Sequence, residues 1–188
     1  MTAPLAFGVV LAGGASRRMG SDKALLVHEG TRLVDHAVAT LAACCAEVAV
    51  ASGARPLPDL AVPELADPVP GVGPLGGVLG GLEAAGTGLV AVLAVDMPHA
   101  SAAVMAALAA AWAGEAVVLP IVGGRAHPLH AVWDATAAPR LRRLLAEGLH
   151  GAVAVTGRLG ARAAGPEIWA AADPSGRFAE NWNTPADE

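Results

Sequence analysis

A group of glycines and cations near the N-terminus is the part of this sequence best suited to chemistry. Residues 11–23 read LAGGASRRMGSDK and follow an apolar run, Leu5 to Val10, that is typical of a buried strand. The glycines and cations are Gly13, Gly14, Arg17, Arg18 and Lys23. Glycine lets a backbone turn sharply and expose successive N–H groups to an anion, and the cations are donors suited to phosphate. The segment therefore predicts a phosphate-binding loop at the end of a strand.

This loop differs from the Walker A pattern, which requires Gly-Lys-Ser/Thr after four intervening residues. Here Gly20 is followed by Ser-Asp before Lys23 is reached. The alternative interpretation is a charged surface turn that serves only solubility. The complete string, directly after a strand of buried type, favours phosphate binding.

A carboxylate ends a second apolar run, at Leu93-Ala-Val-Asp96-Met-Pro98. Pro98 stops the strand and leaves Asp96 at the edge where open α/β sheets bind their ligands. A carboxylate that faces phosphates is best explained as a Mg²⁺ ligand, because without a cation it would repel them. The alternative is an aspartate that caps a turn or a helix. Together with the predicted loop, the metal role is favoured.

The elements that must position these residues alternate between apolar runs and helical patterns. This alternation predicts a Rossmann-like, three-layer α/β/α fold whose mixed sheet is mostly parallel and covered on both faces. The predicted strands are Ala6–Leu11, Val48–Ser52, Leu89–Val95 and Ala116–Ile121, with an antiparallel strand in His127–Trp133 and a last short strand at Glu167–Ala171. The predicted helices are Arg32–Cys44, Leu75–Ala85, Ala102–Ala113 and Ala137–Glu147.

Length and charge exclude several classes of protein. The 188 residues predict one α/β domain, residues 1–188, with a sizeable core. The net charge of −5 argues against a general nucleic-acid surface. Ala102–Val122 approaches a membrane span in length, but Gly114 and Glu115 divide it, which predicts a helix, a turn and a strand instead.

The beginning of the sequence and its cysteines indicate a cytoplasmic protein. Met1–Phe7 lacks the charged region of a signal peptide. Cys44 and Cys45 have no metal-type spacing and lie in a helical apolar pattern, so we expect buried, inert thiols. Free thiols fit a reducing compartment.

Gly71-Val-Gly73-Pro-Leu-Gly76 matches G-x-G-x-x-G, and Asp96 lies twenty residues after Gly76, as in a dinucleotide site. The strand that must precede such a site is missing, because Asp67-Pro-Val-Pro70 cannot form a central strand. We expect instead a loop before a helix, where glycines let the backbone approach a flat base. The long loop Arg55–Pro74 is itself predicted to reach the binding edge of the sheet.

The N-terminal motif resembles the signature of the molybdopterin nucleotidyltransferases, in particular the molybdenum cofactor guanylyltransferases. Their pattern is Leu-Ala-Gly-Gly-x-Ser-x-Arg-Met-Gly-x-Asp-Lys, and the chain matches it at Leu11, Ala12, Gly13, Gly14, Ser16, Arg18, Met19, Gly20, Asp22 and Lys23. The wider sugar-nucleotide transferases share a looser version. The resemblance implies the nucleotide-diphospho-sugar-transferase fold and a Mg²⁺-dependent transfer of GMP from GTP to molybdopterin, with release of pyrophosphate.

The resemblance also implies roles for individual residues. Lys23, Arg18 and Asp96 would be catalytic, with Asp96 as the Mg²⁺ ligand. The implied nucleotide-binding residues are Leu11, Ala12, Gly13, Gly14, Lys23, Ser52, Asp67, Gly73, Leu75, Gly76 and Asp96. Ser52 stands in a region where related enzymes often carry an asparagine that contacts the nucleotide.

His127, Asn181 and Asn183 would face the acceptor. Two histidines three apart on a strand point to opposite faces, so His127 and His130 are not expected to share a metal. Extended backbone would put both asparagines on one face, and their amides suit a pterin edge. The alternative for this segment is that Thr184 caps a helix.

Two other functions stay open. A cytidylyltransferase acting on the same pterin usually shows Leu-Ala-Ala-Gly and Arg-Phe-Gly, whereas this chain has Gly13 and Met19. A non-catalytic nucleotide-binding adapter could keep the same fold, although Lys23 and Asp96 count against it. The resemblance leaves open whether the chain works as a monomer and whether a cofactor-delivery protein contacts it transiently.

Overall fold

An eight-stranded mixed sheet organises the computed structural model of the chain, which describes residues 5–13, 23–53 and 55–182. The strands are β1 (Leu5–Leu11), β2 (Val27–His28), β3 (Thr31–Arg32), β4 (Cys45–Ala51), β5 (Glu64–Leu65), β6 (Leu89–Ala94), β7 (Val117–Val122), β8 (Arg125–Ala126), β9 (His130–Asp134) and β10 (Arg162–Ala164). The helices are α1 (Leu33–Ala42), α2 (Pro74–Ala85), α3 (Ala102–Ala110), α4 (Ala138–Ala146), α5 (Ala152–Leu159) and α6 (Pro166–Trp169). β2 and β3 form a separate antiparallel hairpin.

The strand order in the large sheet is β10-β7-β9-β6-β1-β4-β5, with β8 paired to β7. β1 runs parallel to both β4 and β6, whereas β9 is antiparallel to β6 and to β7. Helices connect most of the parallel strands, as parallel pairing requires. The predicted fold class, a mostly parallel sheet with one antiparallel insertion, is confirmed.

Two hydrophobic cores cover the two faces of the sheet. On one face, buried residues of α1, α3 and α6 pack against the strands together with Phe178 and Trp182 from the C-terminal part of the chain. On the other face, α2, α4 and α5 supply the buried side chains. The strands are almost wholly apolar because both of their faces are buried.

Small residues bring α2 unusually close to the sheet. A β-carbon at Gly77 would lie 2.8 Å from Cβ of Ala51 and 2.9 Å from Cδ2 of Leu11. A β-carbon at Gly81 would lie 2.7 Å from Cγ1 of Val9. Real β-carbons do not approach neighbours this closely, so a larger side chain would push the helix away. The glycines therefore set the position of the N-terminus of α2 at the carboxyl edge of β1 and β4.

Near the C-terminus the predicted order of elements is wrong. Glu167–Ala171 is not a strand, because Pro166 opens the short helix α6, a position that proline favours. The edge strand is β10, and helix α5 before it was not predicted. Nε1 of Trp169 donates to the carbonyl of Ala164 at 3.2 Å, which ties this helix to the end of β10.

The cysteines also lie elsewhere than the helical pattern predicts. Helix α1 ends at Ala42, and Cys45 is the first residue of β4. The main-chain amide of Leu5 donates to the carbonyl of Cys44 at 2.9 Å, so pairing with β1 ends the helical register. Cys45 is buried as expected, whereas Cys44 is only partly buried and its thiol lies 3.9 Å from that of Cys45.

The run Ala102–Val122 folds as predicted into a helix, a turn and a strand, here α3 and β7. Helix α2, with 12 residues, is the longest in the described parts of the chain. A bilayer requires about 20 apolar residues in a spanning helix. Among the described residues, no helix therefore has the length and apolar character to cross a membrane.

Candidate nucleotide-binding site

Lys23 and Asp96 meet at the carboxyl edge of the parallel strands. Nζ of Lys23 lies 3.5 Å from Oδ2 of Asp96, and the two side chains are 21% and 22% exposed. Lys23 begins a 3-10 turn that follows the segment after β1, and Asp96 comes just after β6. The sequence predicts both residues at this edge, and the structure brings them into contact.

Pairing between neighbouring strands explains why Asp96 faces the edge. The amide of Val95 donates to the carbonyl of Leu11 at 3.1 Å, so the end of β6 is tied to the end of β1. Val95 and Met97 are buried, whereas Asp96 between them is partly exposed. Burial of both neighbours leaves the carboxylate of Asp96 as the group presented toward solvent.

A segment from the far end of the chain closes over this pair. Residues 177–182, which we call the C-terminal strap, end at Trp182. The amide of Trp182 donates to the carbonyl of Asp96 at 2.7 Å, and Nζ of Lys23 donates to the carbonyl of Trp182 at 3.1 Å. These contacts use the backbone of Trp182, so no pattern of side chains could have pointed to them.

A cleft of about 180 Å³, including its open mouth, lies at the same edge of the sheet, between the ends of β1 and β4 and the start of α2. Leu11, Gly13, Gly53, Asp67 and Gly73 contribute to its walls. A β-carbon at Gly13 would lie 2.9 Å from the amide nitrogen of Gly53, so only glycine fits there. Gly73 has φ +69°, a conformation that other residues rarely adopt, at the residue preceding α2.

Asp67 reaches the first turn of α2 because Gly76 has no side chain. A β-carbon at Gly76 would lie 2.7 Å from Oδ1 of Asp67. A carboxylate near a helix N-terminus is favoured by the helix dipole. Burial raises the pKa of Asp67. The carboxylate is thus placed at the cleft wall, where its oxygens can accept hydrogen bonds.

The other residues predicted to bind the nucleotide differ in their burial. Ala12 is buried beside Gly13 and donates its amide to the carbonyl of Ala51 at 2.9 Å. Ser52 is 9% exposed at the end of β4. Leu75 has no exposed surface, and its role at the nucleotide stays a prediction. Gly14, Arg18 and Asn183 lie outside the described residues, and their roles stay predictions.

The acceptor-side residues lie at the same edge of the sheet. His127 precedes β9, which runs beside β6. Burial, and to a lesser extent the positive charge of Arg125, lowers the pKa of the His127 imidazole. His127 is outside β9, so the expectation that both histidines stand on one strand is wrong. Asn181 is exposed and directly precedes Trp182. The roles of His127 and Asn181 remain predictions.

His130 is fully buried in the core. Its ring lies 4.9 Å from that of Phe178, measured between centroids. Burial lowers its pKa to about 3, so the imidazole is neutral at physiological pH. Across the described ranges, no group of three or more His, Cys, Asp or Glu side chains could hold a metal ion.

A polar cluster that the motifs did not indicate lies next to the strap. The ring of His28 lies 4.7 Å from that of Trp182 and 6.2 Å from that of His99. Nε2 of His99 lies 2.6 Å from a guanidinium nitrogen of Arg177 and 3.7 Å from Oε2 of Glu180. The members come from three distant parts of the chain, so no spacing in the sequence could have predicted this cluster.

The mixed sheet, the glycine-walled cleft and the Lys–Asp pair at its carboxyl edge define an α/β nucleotidyltransferase. The family model described as "MobA-like NTP transferase domain" matches residues 8–163. The chain belongs to this family of nucleotidyltransferases.

Relatives of the chain carry names that agree with this family. A protein of Chloroflexus aggregans is 40% identical over 187 residues, which cover 96% of this chain and 90% of the relative. A protein of Mycobacterium tuberculosis is 48% identical over 155 residues, covering 78% of this chain and 76% of the relative. Both are named "Probable molybdenum cofactor guanylyltransferase".

A solved structure shares the fold over almost the whole chain. It is the molybdopterin-guanine dinucleotide biosynthesis protein A from Archaeoglobus fulgidus, with a TM-score of 0.80 and 24% sequence identity. The match covers 96% of this chain and 94% of that protein. The two proteins therefore share the arrangement of sheet and helices described above.

Proposed function

We propose that this protein transfers GMP from GTP to molybdopterin and releases pyrophosphate. The observation that carries the proposal is the contact between Lys23 and Asp96 at the carboxyl edge of the sheet, the edge that also holds the glycine-walled cleft. A cation and a carboxylate at this position suit a triphosphate and its divalent ion. The names of relatives at 40% and 48% identity support the choice of substrates.

Asp96 fits a Mg²⁺ ion. Its carboxylate is a hard oxygen donor, is partly exposed and lies at the carboxyl edge of the sheet. Mg²⁺ is commonly held by one or two carboxylates together with substrate phosphates and water, so a cluster of several acidic side chains is unnecessary. When bound, the ion supplies charge neutralisation on the phosphates of the leaving pyrophosphate.

Lys23 would bind the triphosphate. Its ammonium is held by Asp96 and by the carbonyl of Trp182 in this structure, and the lysine side chain is partly exposed. We propose that the ammonium donates to the phosphates as charge develops on the leaving group. Arg18, from the same motif, would add a second cation.

The chain needs no strong general base for this reaction. The terminal phosphate of molybdopterin is already anionic near neutral pH, so its oxygen can attack the α-phosphorus of GTP directly. The new bond joins that oxygen to the α-phosphorus, and the bond to the bridging oxygen of pyrophosphate breaks. The contribution of the protein is to hold two anions in line, which is positioning and electrostatic stabilisation.

Asp67 supports guanine as the base. Its carboxylate lies at the cleft wall, over the first turn of α2. A carboxylate accepts hydrogen bonds only, and guanine offers two neighbouring donors, N1–H and the 2-amino group. Cytosine offers a single amino group beside an acceptor nitrogen, so it would pair less well with this side chain.

We propose that a monomer carries out the reaction in the cytoplasm and that the protein that delivers molybdopterin docks on it transiently.

The deciding experiment is pyrophosphate release by the wild-type protein with GTP, CTP or ATP, each offered with molybdopterin and with sugar phosphates. We expect turnover with GTP and molybdopterin and at least about tenfold less with CTP, since each lost hydrogen bond at a buried site costs roughly that factor. Faster turnover with CTP would replace the guanine assignment by cytosine. GTP binding without turnover on any acceptor would instead identify a nucleotide-binding adapter.

A further inference from the structure

Lys23 is the only lysine in the sequence, and two partners hold it. Its ammonium lies 3.5 Å from Oδ2 of Asp96 and donates to the carbonyl of Trp182 at 3.1 Å. A lysine side chain has several rotatable bonds, and a partly exposed ion pair alone restrains it weakly. The hydrogen bond to the Trp182 carbonyl is the shorter of the two contacts and comes from a fixed main-chain atom.

The position of that carbonyl is itself fixed on both sides. The amide of Trp182 donates to the main-chain carbonyl of Asp96 at 2.7 Å. The indole ring packs edge-on against His28 at 4.7 Å, and Trp182 is only 9% exposed. One residue therefore touches the backbone of Asp96, the ammonium of Lys23 and the hairpin that follows Lys23.

The other end of the strap is anchored in the core. Phe178 is fully buried, and its ring contacts those of Trp169 and His130 at centroid distances of 5.3 and 4.9 Å. Its amide donates to Oδ2 of Asp173 at 2.9 Å. Between Phe178 and Trp182 the strap spans only a few residues, so burial of Phe178 limits how far the Trp182 carbonyl can move.

We propose that Trp182 is a positioning residue that holds the Lys23 ammonium beside Asp96, and that Lys23 exchanges the Trp182 carbonyl for a phosphate when the nucleotide binds. This inference rests on the proposed roles of Lys23 and Asp96. The strap orders the flexible lysine side chain before the nucleotide binds, so less conformational entropy is lost on binding and only a small movement is needed to reach the triphosphate.

The rate at which the Lys23 amine is acylated measures how firmly Trp182 holds it in the protein without nucleotide. Because the chain has a single lysine, an N-hydroxysuccinimide acetate reagent followed by peptide mass spectrometry reports one ε-amine. Glycine keeps the carbonyl but loses the ring contact with His28 that fixes it. We expect Trp182→Gly to raise the acylation rate of Lys23 by up to roughly fivefold, the factor that corresponds to full loss of one typical hydrogen bond. Trp182→Phe keeps a ring against His28 and the same backbone, so its acylation rate should lie closer to that of wild type than to that of Trp182→Gly.

Alkylation of Cys44 by iodoacetamide separates local release from general loosening. Cys44 is partly exposed and lies beside the start of β1, at the opposite end of that strand from the site. A faster Lys23 reaction with an unchanged Cys44 reaction supports the proposal. Equal increases at both residues, or no increase at Lys23, would overturn it.

Kinetics give a second readout that a purely structural role would not produce. Trp182→Gly should raise KM for GTP roughly fivefold while kcat changes little, because Lys23 leaves the Trp182 carbonyl when the nucleotide binds, and the lost ordering of the free enzyme therefore acts on binding. Trp182→Phe should keep KM closer to that of wild type. A fall in kcat with unchanged KM would contradict the positioning role.

The two proposals can fail separately. A wild-type protein without turnover on GTP and molybdopterin refutes the proposed function, while the acylation comparison, which uses neither substrate, still decides whether Trp182 holds Lys23. Protection of Lys23 from acylation by GTP with Mg²⁺ tests the exchange step. Unchanged acylation under saturating nucleotide would overturn that step.

Discussion

The carboxylate of Asp67 lies over the α-carbon of Gly76, so close that a β-carbon there would be 2.7 Å from Oδ1. This contact joins the loop before α2 to the first turn of that helix and sets one wall of the cleft. Gly76 is therefore required by its neighbour in the fold, whether or not its own backbone touches a nucleotide.

Replacing Gly76 by alanine should displace the Asp67 carboxylate. Because alanine favours helix and Asp67 is partly exposed, we expect stability close to wild type but GTP binding weaker by about tenfold, the loss of a charge-assisted hydrogen bond. Thermal unfolding checks the stability, and calorimetry checks the affinity for GTP. Gly157→Ala in α5 is the matched control, since no atom lies within 4 Å of its added methyl group. Equal GTP affinity in the two variants would show that Asp67 does not contact the nucleotide.

Lys23→Ala and Asp96→Asn should each lower turnover at least ~100-fold, the scale of losing one transition-state stabiliser. Their melting temperatures should change little, because an ion pair of this exposure contributes weakly to stability. The assay is pyrophosphate release under saturating GTP, magnesium and molybdopterin. Arg142→Ala serves as the control, because it removes an exposed ion pair with Glu83 between α2 and α4. Activity of Lys23→Ala near that of Arg142→Ala would refute the role of the pair.

Asp67 should cost stability at neutral pH. Burial raises the pKa of its carboxyl in the folded state, so the folded protein holds the proton more tightly than the unfolded chain does. Stability contributed by this group is therefore present at low pH and lost as pH rises through the unfolded and then the folded pKa. Asp67→Asn should melt higher than wild type at pH 7 and show its smallest difference near pH 3, while it binds GTP more weakly. A lower melting temperature for Asp67→Asn at pH 7 would contradict this account.

His130 should destabilise the fold in acid. Burial lowers its pKa from 6.5 to about 3, so below pH 6.5 the unfolded chain takes up a proton that the folded protein does not. Stability is therefore full above pH 6.5 and falls progressively toward pH 3. Both ring nitrogens lack a hydrogen-bond partner among the described residues, which adds a cost at every pH. His130→Leu should unfold at higher urea concentration than wild type, with a larger gain at pH 5 than at pH 8. The same gain at both values would rule out the titration of this histidine.

Much of the chemistry of the site could be predicted from short-range patterns. The glycine motif after β1 and the aspartate after β6 each follow a strand whose apolar composition is evident, and the carboxyl ends of parallel strands meet at one edge. Backbone rules of this kind depend on a few neighbouring residues, so they can be applied before the fold is known. The same local logic correctly separated α3 from β7 at Gly114 and Glu115.

Where the patterns failed, the competing signal came from elsewhere in the chain. Cys45 continues a helical apolar pattern but pairs with β1, and the gain of ladder hydrogen bonds outweighs helix propensity. Pro166 starts a helix in a stretch that was predicted as a strand, because the neighbouring Arg162–Ala164 takes the edge of the sheet.

The amino-acid sequence by itself determined the family, the type of sheet and the two charged residues of the candidate site, because motif and strand polarity are local properties. Only the tertiary structure decided that Trp182 holds Lys23 through its carbonyl and that Gly76 makes room for Asp67. Those contacts join backbone atoms and empty volumes across long stretches of chain. A backbone carbonyl and a missing side chain carry no residue-specific signal until folding has placed them beside a partner.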